Sequence, residues 1–176
     1  MSEPSQQDAA VDIRLADYQP PSWLCPRIGL EFDLGADFTE VTARLHVEPN
    51  PDGPAAPLRL DGEGLELLSV SVDGKRLGEE DYELQPRTLL LPSVDRAAVV
   101  ETRVRIHPAA NTRLEGLYAS GGMLLTQCEA EGFRRITFFP DRPDVLSVYD
   151  VTLRADASRY PELLANGDPV EIGKLD

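Results

Sequence analysis

The amino-acid sequence predicts a mainly β fold: an antiparallel β-sandwich or saddle-like sheet carrying one or two short helical turns. Three observations lead there. Apolar residues recur at every second position in several short runs, the period of a half-buried strand. Glycine, proline and aspartate clusters separate those runs at close intervals. No segment sustains a helical apolar period for the length of a substantial amphipathic helix, which argues against a doubly wound α/β arrangement.

Taken in order, residues 1–12 are polar and acidic and are expected to form a disordered tail, leaving 13–176 as one β domain. Asp17-Tyr18-Gln19-Pro20-Pro21 is extended, because a residue before proline is pushed out of the helical region. Ile28, Leu30, Phe32 and Leu34 alternate with polar residues or glycine and define a strand over 27–34. Gly35-Ala36-Asp37 turns the chain into a second strand, with Val41, Ala43, Leu45 and Val47 facing inward. Pro49 to Pro54 is a loop. Short strands are expected at 58–62 and 65–72, and Asp73-Gly74 is a two-residue hairpin signal. Further brief strands follow at 75–77, 82–84 and 88–91. The run 98–106 is expected to be the longest strand, with Val100, Thr102, Val104 and Ile106 on its inner side. Ser120-Gly121-Gly122 should fold the chain back into 123–127. Phe133 and Ile136 stand at helical spacing before Pro140, which predicts one or two helical turns over 130–138. A strand over 145–155, a helical turn at 160–164 and a last strand beginning at 170–172 complete the reading.

Composition narrows the function. The chain has 176 residues, enough for one domain with a real core. Its net charge of −14, from 31 acidic and 17 basic residues, disfavours nucleic acid and anionic membrane as partners. No apolar run approaches the ~18 residues that cross a bilayer. The N-terminus has no basic n-region and no apolar h-region, so a cytoplasmic location is expected. Cys25 and Cys128 are too few for a disulfide framework and are expected as free thiols. His46 and His107 belong to no His-Glu-x-x-His or Cys/His motif. Nucleophile elbow, phosphate loop and dinucleotide fingerprint are all missing. The sequence therefore offers no catalytic residue and no metal ligand.

One stretch breaks the alternation. Residues 127–144 hold three of the five phenylalanines, three arginines and four carboxylates. Leu114-Glu115-Gly116-Leu117-Tyr118, Thr126-Gln127-Cys128-Glu129-Ala130-Glu131-Gly132-Phe133-Arg134-Arg135 and Asp141-Arg142-Pro143-Asp144 resemble the N-terminal domain of zinc aminopeptidases, and most of all the aminopeptidase N (bacterial alanyl aminopeptidase) family. Tyr160 to Gly167 is similar to a later part of that domain, so the likeness extends from about residue 13 onward. It implies a β domain that precedes a catalytic zinc domain, whose His-Glu-x-x-His and Gly-x-Met-Glu-Asn motifs this chain does not contain. It also implies that Glu129 helps bind the free α-amino group of a peptide and that Gln127 lines the pocket for the first side chain. Zinc is then the cofactor of the full-length enzyme, not of this segment. The expected partners are peptide N-termini and the chain's own downstream catalytic domain.

The residues alone leave other readings open. A stand-alone β-sandwich binding module, or an inactive relative that kept the domain as an interaction surface, would share the same strands. Glu131, Arg134, Arg135, Asp141, Arg142 and Asp144 are expected to form a structural ion-pair network. Phe133, Phe138 and Phe139 are expected in packing, with an apolar patch exposed near Phe138 and Phe139. Trp23 and Met123 are expected as core fillers.

Overall fold

A computed structural model describes residues 14–175; the expected tail at 1–12 lies outside them. Eleven strands form among the described residues: β1 (Trp23–Leu34), β2 (Thr39–Pro49), β3 (Leu58–Asp61), β4 (Glu66–Val72), β5 (Lys75–Arg76), β6 (Glu83–Gln85), β7 (Thr88–Leu91), β8 (Ala98–Ile106), β9 (Gly116–Ser120), β10 (Met123–Gln127) and β11 (Val148–Ala155). They make a six-stranded sheet in the order β11-β1-β2-β8-β4-β5, a three-stranded sheet β3-β7-β6 and a hairpin β9-β10. Among the described residues, helical structure is limited to three-residue 3-10 turns.

Alternation decides which side of each strand is buried. Ile28, Leu30 and Phe32 of β1, Val41, Ala43, Leu45 and Val47 of β2, Val70 of β4, and Val100, Val104 and Ile106 of β8 are buried on one face of the large sheet. Leu58 and Leu60 of β3 and Leu89 and Leu91 of β7 are fully buried in the same core. The opposite face of the large sheet carries ion pairs: Arg44 joins Glu31 and Glu101, and Arg105 and Arg103 both reach Glu40. Two hairpins turn where the sequence indicates. Asp73 and Gly74, and likewise Gly121 and Gly122, all have positive φ, which matches the right-handed strand twist of a two-residue hairpin.

The structure departs from the sequence-based expectations in several places. The longest strand is β1, with 12 residues against nine in β8. It starts at Trp23 and accommodates a register shift between Leu24 and Arg27 where proline interrupts it. The sandwich is not purely antiparallel: β11 lies parallel to β1, with Arg27 opposite Val148 and Leu34 opposite Ala155. The expected helical turns over 130–138 reduce to Phe133–Arg135. Residues 160–164 and 170–172 form neither helix nor strand, and Leu164, Val170 and Ile172 are almost fully exposed. Trp23 is buried as expected, but Met123 is 59% exposed at the start of β10. Leu124, the next residue of β10, packs against the core, so Met123 stands on the strand's other, exposed face.

Candidate functional site

The stretch 127–144 leaves the end of β10, makes one 3-10 turn and runs back along the edge of the small sheet. Backbone hydrogen bonds fix its course. Asp61 N–H donates to the Phe139 carbonyl (2.8 Å), Phe139 N–H donates to the Asp61 carbonyl (3.0 Å), and Glu63 N–H donates to the Arg134 carbonyl (2.8 Å). Capture by β3 explains why the helical spacing of Phe133 and Ile136 yields only a single turn: past Arg135 the chain behaves as an added edge. Phe138 and Phe139 are themselves buried, 2% and 3% exposed. The exposed apolar residues nearby are Leu146, Val148, Tyr149 and Val151, of which Tyr149 lies 6.5 Å from Phe139 between ring centres. Tyr149 packs edge-on against Phe133, which packs edge-on against Phe139 at 5.0 Å between ring centres.

The charged residues of the stretch form the expected ion-pair network. Arg134 donates from Nε (2.9 Å) and from its backbone N–H (3.0 Å) to Asp141 Oδ2, and also reaches Glu131 at 3.3 Å. Arg135 bridges Glu63 (2.5 Å) and Glu115 (2.8 Å). Arg142 pairs with Asp144 at 2.7 Å and donates to the Gln19 carbonyl at 2.9 Å, while the Tyr18 hydroxyl donates to Asp144 at 3.1 Å. The Arg142 guanidinium thereby holds the Asp144 carboxyl below the usual carboxylate range.

Glu129 is the exception. It is exposed, and among the described residues it has no ion pair and no side-chain hydrogen bond, although the other three carboxylates of the stretch each have an arginine. It follows Gln127, the exposed last residue of β10, by two positions. The Glu129–Ala130 peptide is cis. A carboxylate left unneutralised at the end of a hairpin, with an exposed amide beside it, is suited to bind a cationic group by charge-assisted hydrogen bonding.

Two glycines bring this corner together, and sequence reasoning passed over both. Gly116 lies opposite Gln127 in the hairpin register with φ +71°, and a Cβ there would come within 2.8 Å of Arg135 Cβ. A Cβ at Gly132 would lie 2.7 Å from the Gln127 carbonyl oxygen and 3.0 Å from Cys128 Cα. Gly132 N–H donates to the Cys128 carbonyl at 2.9 Å, closing the loop that carries Glu129. A glycine inside a strand pattern beside a motif is the available signal of such close backbone approach.

Burial disfavours the thiolate form of both cysteines. Burial pushes the Cys25 thiol up to about 11. Burial first, and the Asp141 charge second, also raise Cys128. A raised pKa means less thiolate near pH 8, so Cys128 should react with iodoacetamide more slowly than glutathione, and Cys25 only after unfolding. Labelling of either at the free-thiol rate in the native chain would contradict this packing.

A zinc site needs three or four converging His, Cys or carboxylate ligands. No group of three or more such side chains able to hold a metal occurs among the described residues. His46 lies on β2 opposite Val99, and His107 follows Ile106, whose partner on β2 is Thr39. His107 is therefore eight positions along the strand direction from Val99, which separates the histidines by about 26 Å. Among the described residues, the two histidines therefore do not converge on one metal ion.

No protein-family model matches the chain. Aminopeptidase N of Caulobacter vibrioides is 46% identical over 169 residues, covering 96% of this chain and 19% of that protein. The crystal structure of Legionella pneumophila aminopeptidase A in complex with aspartic acid superposes with a TM-score of 0.85 at 34% identity, covering 93% of this chain and 19% of that one. An M1 zinc metallopeptidase from Deinococcus radiodurans, at 15% identity and TM-score 0.66 over 80% of this chain and 34% of its own, shares the fold. The chain thus spans about a fifth of the length of the aminopeptidase N relative it matches. By sequence and by fold together, it corresponds to the N-terminal β domain of the aminopeptidase N family.

Proposed function

We propose that this chain is the substrate-recognition domain of a cytoplasmic zinc-dependent aminopeptidase that removes N-terminal residues from peptides. Glu129 anchors the free α-amino group and Gln127 lines the pocket for the first side chain. Zinc and the hydrolytic chemistry belong to the remainder of the longer protein. The observation that carries this reading is the isolation of Glu129: in a stretch where arginines neutralise every other carboxylate, it alone is left for an external cation. An exopeptidase must tell an N-terminal ammonium from an internal amide, and an unpaired carboxylate does so. The ammonium supplies a charge-assisted hydrogen bond, whereas an internal peptide leaves the carboxylate desolvated and unpaired. The exposed apolar residues Leu146, Val148, Tyr149 and Val151 support contact with a further part of the longer protein.

The test uses the longer enzyme with an amino-acid anilide as substrate. Glu129→Gln keeps the shape and removes the charge, a difference of about 1.5–3 kcal/mol for a hydrogen bond to a charged group. The expected result is a loss of about 10- to 100-fold in kcat/KM, with zinc content unchanged. The isolated chain should not hydrolyse the anilide, with or without added zinc. An unchanged kcat/KM in Glu129→Gln, or zinc-dependent turnover by the isolated chain, would reject this division of labour.

A further inference from the structure

The β9-β10 hairpin that ends in Gln127 is a two-stranded sheet of its own, hydrogen-bonded as a ladder to neither of the larger sheets. Two strands alone are marginal in water, so the position of Gln127 and Glu129 depends on what ties the hairpin to the sandwich. Leu117 is buried in the core, and the Asn111 amide donates to the carbonyls of Glu115 and Leu117 at 2.7 and 3.0 Å. Among the described residues, the remaining polar tie is Arg135. Its side chain is 14% exposed, its Nε donates to Glu115 at the foot of β9, and its terminal nitrogen donates to Glu63 in the loop after β3. Its backbone N–H donates to the Gly132 carbonyl at 3.1 Å. Its Cβ fills the space beside Gly116, the residue opposite Gln127.

From this geometry we infer that Arg135 is a positioning residue for substrate binding: it clamps the foot of the hairpin to the small sheet and so fixes where Gln127 and Glu129 stand. The inference rests on the amine-anchor reading of Glu129. Arg135 touches no substrate in this scheme. It acts because a rigid guanidinium fork meets two carboxylates on different segments in fixed directions, which a flexible ammonium does less well. Glu63 retains a second partner in Arg87 at 3.4 Å, and Glu115 is half exposed. Loss of the clamp should therefore free the hairpin without unfolding the domain.

The experiment has two parts. In this chain, Arg135→Met should speed backbone amide exchange at residues 116–117 and 127–132 by about tenfold or more, relative to an unchanged β1, β2 and β8. Glu115→Gln, a milder change at an exposed position, should do the same to a smaller extent. In the longer enzyme, Arg135→Met should raise KM for an amino-acid anilide about tenfold with kcat within twofold, and Arg135→Lys should recover part of the loss. A uniform rise in exchange across the domain, or unchanged exchange in the hairpin, overturns the clamp. So does a fall in kcat at constant KM. The two readings fail separately. If Glu129→Gln leaves kcat/KM unchanged, the amine anchor is wrong. If Glu129→Gln lowers kcat/KM and Arg135→Met does not raise KM, only the positioning role is wrong.

Discussion

Replacing Arg134 with methionine should cost the domain about 3–5 kcal/mol, the range for breaking a buried ion pair from one side. Side chains of Arg134 and Asp141 are 13% and 9% exposed, so solvent does little to take over when one partner is lost. Asp141 Oδ2 accepts from both Nε and the backbone N–H of Arg134, and the Arg134 terminal nitrogen also donates to the Asp141 carbonyl at 2.9 Å. Methionine fills most of the same volume but leaves the aspartate with the backbone N–H alone. For a chain of this length the expected fall in melting temperature is about 10 °C. The paired change Arg134→Met with Asp141→Leu should recover much of it, because no charge is then left buried. What remains lost is the bond to the Arg134 backbone N–H. Calorimetric melts of the two single variants and the double variant give the coupling directly. A shift below about 3 °C for Arg134→Met would mean that Asp141 is hydrated in a way this packing does not permit.

The second large effect is at Phe138. Its ring is 2% exposed and occupies the space that a Cβ on residue 62 would need, at 2.3 Å from the ideal position. Phe138→Ala should therefore cost about 3–5 kcal/mol through lost burial and the cavity left behind. Gly62→Ala creates the opposite fault and should cost about 1–3 kcal/mol by forcing the ring aside. The two changes share one volume and cannot add. The double variant should be more stable than the sum of the singles predicts, by at least about 0.5 kcal/mol in urea melts. Strict additivity would show that the ring relaxes into space elsewhere and that glycine is not required at position 62.

Legibility followed the physics of each element. The inner rows of β1, β2 and β8 were readable because one face is buried and the other carries charge, so the two-residue period survives in the sequence. The Asp73-Gly74 turn was readable because few other residue pairs adopt two successive positive φ angles. Which strand lies beside which was not. A period of two says nothing about partners, and the β1–β11 pairing joins residues more than a hundred positions apart. Exposure of Met123 was likewise hidden, because Met123, Leu124 and Leu125 are all apolar and the sequence does not say which face of β10 meets the core. For the candidate site, the resemblance selected Gln127 and Glu129, and the composition of the stretch suggested an ion-pair network. The pairing pattern that sets Glu129 apart was beyond sequence reasoning. With three arginines and four carboxylates within 18 residues, only coordinates decide which acid remains without a base.

The parallel edge has a consequence for synthesis. Arg27 of β1 must wait for Val148, 121 residues later, before its outer side is paired. At about 5–20 residues per second of translation, β1 stays open on that side for roughly 6–24 s after it emerges. Meanwhile β2 follows it at once and can zip along its other side. The nascent domain thus acquires its centre early and its border late. During that interval the row of unpaired amides on β1 is the part of the molecule most open to a stray strand from another chain.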